Sequence, residues 1–223
     1  MGKYVKKVGK NYQVETPVGD LIWVTTTGQG KLNTLNDKYY YQATLLLPED
    51  SEECKTFIAE IQEFWKENAP KKFAKKGPNS TGYKPNMVNS DEMDEDGDPI
   101  KVPDGNIAFA FKTETTFKDG NQKKVHIFNS KGAKVSLGTK AIGNGSRGRI
   151  QGIITTYEQP ASAGCSLYLN GIQLSKFVEF TGGPSFDSIE DEDGDGFEGF
   201  EDGMDALEEE SGTEKTATER PRL

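Results

Sequence analysis

The 223 residues carry 27 Lys or Arg against 36 Asp or Glu, one His and two Cys, and only 33% of them are apolar. No apolar run approaches the roughly 18 residues of a membrane-spanning helix, and Met1-Gly2-Lys3-Tyr4-Val5-Lys6 has neither the apolar stretch of a signal peptide nor the Ser or Thr that a myristoylation signal needs where Lys6 stands. The charge is uneven: from Ser185 to Leu223 fifteen Asp or Glu face three Lys or Arg, a balance of −12, so residues 1–184 sum to +3 within the total of −9. A flexible anionic arm on a mildly basic body is the pattern of a protein that binds a polyanion and carries its own competitor for the site.

Residues 1–184 are numerous enough to bury a core, and they read as mostly β with one helix. Leu21–Thr25 is a short strand, and Tyr39–Leu47 a longer one stopped by Pro48. Cys54, Phe57, Ile58, Ile61, Phe64 and Trp65 then recur at helical spacing, with Asp50 and Glu53 placed as a capping box and Pro70 marking the end. That stripe is a core face. From Pro70 to Pro103 the pattern dissolves into a long loop, first basic (Lys71, Lys72, Lys75, Lys76, Lys84) and then acidic (Asp91 to Asp98). Strands resume at Ile107–Thr113, Lys124–Phe128, Lys134–Leu137, Gly148–Tyr157, Gly164–Asn170 and Gln173–Phe180, with turns at Asp119-Gly120, Lys131-Gly132 and Asn144-Gly145. Many short strands, regular turns and a single helix predict a small β-barrel. The isolated Cys54 and Cys165 sit in apolar patterns and read as reduced, buried thiols of an intracellular protein.

Several motifs dissolve on inspection. Gly143-Asn144-Gly145-Ser146-Arg147-Gly148 has the letters of a dinucleotide loop, but Arg149–Tyr157 after it is β-branched, where a helix N-terminus would be needed to meet the pyrophosphate. Asp191, Asp193, Asp195, Gly196 and Asp202 fall at calcium-loop positions; Asp stands in place of the closing bidentate Glu, Glu198 takes an aliphatic position, and the flanks are Gly-rich and acidic, so the segment reads as a solvated tail. His126 lies alone in a strand, no Cys pair has metal-ligand spacing, and Gly28-Gln29-Gly30-Lys31 lacks P-loop spacing. Without a nucleophile or a phosphate-cradling loop, the acidic Asp91–Asp98 run does not make a magnesium enzyme. The chain reads as neither an enzyme nor the holder of a metal or cofactor.

Aromatic and cationic residues interleave more tellingly. Two-residue periodicity sets Lys112 opposite Ile107, Phe109 and Phe111, groups Arg149, Gln151, Ile153, Thr155 and Tyr157 on one face, and turns Ser166, Tyr168 and Asn170 away from Cys165, Leu167 and Leu169. Tyr40 likewise opposes Tyr39, Tyr41, Ala43, Leu45 and Leu47, while Phe117, Lys118, Lys123, Lys124 and Phe128 alternate ring with cation. Single-stranded nucleic acid needs this pairing: rings for bases to stack on and cations along the phosphates. Tyr40, Phe111, Tyr157 and Tyr168 are therefore the candidate platforms, and Lys112, Lys118, Lys123, Lys124, Arg147 and Arg149 the candidate phosphate contacts.

Gly145-Ser146-Arg147-Gly148-Arg149-Ile150, then Thr155-Thr156-Tyr157, then Gly164-Cys165-Ser166-Leu167-Tyr168-Leu169-Asn170-Gly171-Ile172-Gln173-Leu174 resembles the C-terminal half of the single-stranded DNA-binding proteins of T7-like and related tailed bacteriophages. The likeness is sharpest over Gly145–Phe180 and takes in the acidic tail. It implies a five-stranded OB-fold barrel over residues 1–184, a disordered tail over residues 185–223, and sequence-independent binding of single-stranded DNA in replication, recombination or repair. It also implies a tail that competes with DNA and contacts phage or host replication proteins, in the cytoplasm of an infected bacterium. Family tails tend to end acidic with a terminal aromatic, whereas this one passes Phe197 and Phe200 and ends Glu219-Arg220-Pro221-Arg222-Leu223. That departure weakens a carry-over of tail docking and leaves a homodimer open. As a flexible coil the tail would span roughly 35 Å, against a radius of gyration of roughly 16 Å for the body, so it can reach back to its own groove. The competing expectation is a protein-interaction adaptor whose acidic tail binds a basic partner.

Overall fold

A computed structural model describes residues 2–34 and 36–182; the calcium-loop segment and the expectations placed on the tail lie outside them. Among the described residues the chain is mainly β with one α-helix, in the order β1 (Val5–Val8), β2 (Asn11–Glu15), β3 (Gly19–Thr25), β4 (Lys31–Asn33), β5 (Lys38–Pro48), α1 (Glu52–Asn68), β6 (Tyr83–Met93), β7 (Pro99–Glu114), β8 (His126–Phe128), β9 (Lys134–Val135), β10 (Ser146–Glu158) and β11 (Ala163–Lys176).

Five long strands pair in a circuit. β3 pairs antiparallel with β5 and β5 with β7; β11 meets β7 in parallel at Leu167–Phe111 and runs antiparallel to β10, which returns to β3 through Ser146–Leu21, Arg147–Asp20 and Gly148–Gly19. The remaining strands attach outside the circuit: β1 and β2 beyond β10, β4 on β5, β6 on β7, and β8 with β9 on β11. Strict alternation along β5 buries Tyr41, Ala43, Leu45 and Leu47 and turns Tyr40, Gln42, Thr44 and Leu46 outward. The buried residues of β5 join Phe109, Phe111, Ile150, Leu167 and Leu169 in one apolar cluster.

The helix packs against that cluster. Phe57 lies against Phe109 with ring centroids 4.8 Å apart, and Phe64 meets Tyr12 edge-on at 4.9 Å. Its N-terminus is capped by Ser51, whose hydroxyl accepts from the Cys54 N–H at 3.2 Å, so the Asp50–Glu53 box expected from sequence is displaced by one residue. Glu60 then ties the N-terminal segment down, accepting the backbone N–H groups of Lys3, Tyr4 and Val5 at 2.6–2.8 Å.

Two features depart from the sequence reading. The expected loop from Pro70 to Pro103 is in large part the β6–β7 hairpin, with Met87–Pro103, Val88–Val102 and Asn89–Lys101 paired beyond the body. Both of its faces are largely solvent-exposed, so nothing selects for an apolar–polar alternation, and the only sequence signal of a half-buried strand is missing. In β3, the register slips between Ile22 and Thr25, and Trp23 adopts the left-handed region at φ 54°. A bulky residue held there costs on the order of 1–3 kcal/mol.

Candidate nucleic-acid interface

The outward faces of β5, β7 and β11 border a cleft of about 890 Å³. Its floor is low because the residues facing outward there are small: Ala108 and Ala110 on β7, Ser166 on β11, and Gly82 at the entry to β6. Gly82 sits at φ 79°, and a Cβ on it would lie 2.9 Å from the Leu167 side chain, so only glycine lets the chain pass directly over β11. The Ala110 N–H donates to the Gly82 carbonyl at 3.0 Å and the Cys165 N–H to the Ser80 carbonyl at 2.8 Å, which fix that crossing.

Rings and cations alternate around the rim. Tyr40, Phe117, Tyr157 and Tyr168 line the cleft together with Lys84, Lys112, Lys118 and Lys123. Tyr168 is 42% and Phe117 55% exposed, so their faces are open to a ligand. The Lys112 ammonium lies 5.6 Å from the Tyr40 ring centroid and that of Lys123 5.3 Å from Phe117, each combining a π-face with a positive charge. The Tyr40 hydroxyl accepts from Asn36 Nδ2 at 2.9 Å, which orients its ring. The acidic lining residue, Glu114, is paired with Lys38 at 2.8 Å. None of the four lining lysines joins an ion pair among the described residues. The trough is therefore cationic. Beneath it, burial pushes the Cys165 thiol up to about 11, and both cysteines are buried and unbridged. Among the described residues no group of His, Cys, Asp or Glu is arranged to hold a metal.

Of the ten residues expected from sequence, the cleft gathers Tyr40, Lys112, Lys118, Lys123, Tyr157 and Tyr168. Phe111 is a correction: it is 1% exposed and packs in the apolar cluster, out of reach of any base. Its neighbour Lys112 lines the cleft, and consecutive residues of a strand face opposite ways, so the cation outside implies the ring inside. Lys124 lines a second cleft of about 420 Å³ with Gln122, His126 and Lys134; Lys123 borders both. Arg147 and Arg149 lie off the cleft. Arg147 Nε is 3.2 Å from Asp20, while Arg149 pairs with Glu15 and donates to Gln173 Oε1 at 2.6 Å.

Sequence reasoning passed over Phe117 as a platform and Lys84 as a phosphate contact. Phe117 opens the turn Phe117–Gly120, where the Gly120 N–H donates back to its carbonyl at 3.0 Å. An aromatic beside Asp119-Gly120, in no period-two pattern, was the available signal that the ring has no core to enter.

The fold can be set beside solved structures. The crystal structure of gp2.5, a single-stranded DNA-binding protein encoded by bacteriophage T7, superposes with a TM-score of 0.50 at 20% identity, over 92% of this chain and 98% of that one. The two chains share a fold. The single-stranded DNA-binding protein from bacteriophage Enc34 in complex with single-stranded DNA aligns at 17% identity and a TM-score of 0.47, over 82% of this chain and 100% of that one. The same Enc34 protein in a second structure gives 13% identity and 0.45, over 81% and 93%. No protein-family model and no curated protein sequence matches the chain. The resemblance first carried by Gly145–Leu174 thus has a counterpart in three dimensions, at the level of fold.

Proposed function

We propose that the chain binds single-stranded DNA without sequence preference, the strand lying in the 890 Å³ cleft with bases on Tyr40, Phe117, Tyr157 and Tyr168 and phosphates on Lys84, Lys112, Lys118 and Lys123. The observation that carries this reading is the alternation of open rings with unpaired lysines around one trough with a low floor. Stacking on aromatic rings is sequence-tolerant because every base has a π-face, and each stacked base contributes about 1–3 kcal/mol. The circuit β3–β5–β7–β11–β10–β3 supports reading residues 1–184 as a five-stranded OB-type barrel whose outer face holds the strand. The shared fold with gp2.5, described as a phage single-stranded DNA-binding protein, supports the same reading.

The rest of the proposal concerns the tail and the setting. Ser185–Leu223, at −12, competes with DNA for the lysine-lined trough and recruits replication proteins, and the protein acts without catalysis in phage replication, recombination or repair in the infected cell. Fluorescence anisotropy with labelled oligo-dT tests both parts. The full chain should bind, and removal of residues 185–223 should tighten binding because an intramolecular polyanion is lost. Equal or weaker binding by the truncated chain would remove the self-competition. No binding by either form would remove the DNA reading and favour an adaptor whose acidic tail serves a basic partner.

A further inference from the structure

We infer that Trp23 is an additional base-stacking site, held beside the cleft by Asn144, so that the bound strand continues from the Tyr40–Lys112 pair across β5 onto β3. The inference rests on the single-stranded DNA reading above and adds a residue that lies outside the cleft that reading uses.

The two tryptophans have opposite surroundings. Trp65 is 5% exposed, with its indole N–H donating to the Lys76 carbonyl at 3.3 Å, whereas Trp23 is 62% exposed. An indole left in water gives up the burial that makes tryptophan valuable to a core. The chain also bends to put it there. Trp23 sits at φ 54°, between register positions Ile22 and Thr25, and such irregularities in a strand re-aim a side chain. This conformation is held from both sides: the Trp23 backbone N–H donates to Asn144 Oδ1 at 3.1 Å, and its carbonyl accepts from Gln42 Nε2 at 3.4 Å. The Asn144 contact gives the glycine-rich segment 143–148 a role, since Gly145 at φ 88° turns the chain into β10 immediately after the residue that holds Trp23.

Position decides what such a ring would meet. Gln42 lies directly opposite Thr25 on one side and Lys112 on the other, and it shares the outward face of β5 with Tyr40. Trp23 is therefore two strand spacings, roughly 10 Å, from the Lys112 strand. That is close enough for a neighbouring nucleotide of the strand that stacks on Tyr40. The ligand class is a base of any identity, because an exposed indole face offers stacking and no discriminating hydrogen bonds.

Tryptophan fluorescence of the full chain, titrated with an oligo-dT of about 15 nucleotides in parallel with anisotropy, reads the inference directly. Trp65 supplies a buried background, so quenching should follow the anisotropy curve and report Trp23. Trp23→Phe keeps a smaller ring, so it should lose most of the quench and weaken binding less than Trp23→Gly does. Trp23→Gly accepts the left-handed backbone, so it should melt within a few degrees of the parent yet bind roughly 5- to 150-fold more weakly, the loss of one stacked base. Asn144→Ala should weaken binding and reduce the quench, because the backbone turn that aims the ring loses its acceptor. Anisotropy showing tight binding with no quench, a quench retained by Trp23→Phe, or parental affinity in folded Trp23→Gly would overturn the inference and leave the cleft reading standing. Absence of any anisotropy change in the parent would overturn both.

Discussion

Replacing Lys112 by Gln removes one of the four lysines that line the cleft while keeping a stem that can lie over Tyr40. Each phosphate neutralised on a single strand contributes about −0.7 to the slope of log affinity against log salt. Four lysines without ion-pair partners therefore give a slope of roughly −2.8 for the parent, and three give roughly −2.1 for the variant. Over a fourfold rise in salt, from about 50 to about 200 mM, the parent should lose roughly 50-fold in affinity and Lys112→Gln roughly 18-fold. The two curves should thus converge as salt rises. Anisotropy with labelled oligo-dT at five or six salt concentrations measures both slopes. Parallel lines, with the variant weaker by a constant factor, would mean that Lys112 acts through packing on Tyr40 and touches no phosphate. A flat parent response would refute the phosphate roles altogether.

Arg149→Gln should leave oligo-dT affinity and its salt slope nearly unchanged, because that guanidinium is engaged by Glu15 and Gln173 off the cleft; a tenfold loss would move the DNA path onto β10. Phe111→Ala should lower stability by about 3–5 kcal/mol, as a buried ring does, whereas Phe111→Leu should stay folded and bind oligo-dT normally by anisotropy. A folded Phe111→Leu that binds poorly would restore a direct role for the ring. The Cys165 thiol, held near 11 by burial, should stay almost wholly protonated at pH 8 and alkylate far more slowly in the native protein than in denaturant. The folded value lies above the ordinary 9.0, so the thiol's contribution to stability is complete below about pH 9 and is lost as pH rises through about 11; denaturant midpoints across that range would show the decline.

What could be read from the residues follows from where apolar surface is buried. β5 and the helix were legible because each buries one face and exposes the other, so Tyr41, Ala43, Leu45 and Leu47 alternate and Cys54, Phe57, Ile61 and Phe64 recur at helical spacing. The same logic placed Tyr40, Lys112, Tyr157 and Tyr168 outward, and these residues do meet in one cleft. It failed for the β6–β7 hairpin, which has no buried face along most of its length; Phe111, which shares the face of Ile107 and Phe109, is buried with them, as strand parity requires of a ring opposite Lys112. The N-terminal hairpin of β1 and β2 carried a local signal, the two-residue turn Gly9-Lys10 between the paired Val8 and Asn11, with Gly9 at φ 61°. What tethers its start is distant: Glu60 accepts from the consecutive backbone N–H groups of Lys3, Tyr4 and Val5. Trp23 shows the limit most clearly. As a letter it belongs to a strand core, and only its left-handed backbone and its contact with a residue 121 positions away reveal a ring turned outward.

Photocross-linking of a halogenated-uracil oligonucleotide, with mass-spectrometric mapping of the modified residues, tests the placement of DNA most directly. Adducts should concentrate on the cleft rings Tyr40, Phe117, Tyr157 and Tyr168. Adducts confined to the Arg147–Gln151 stretch of β10 or to the β6–β7 hairpin, with the four cleft rings unmodified, would contradict the account.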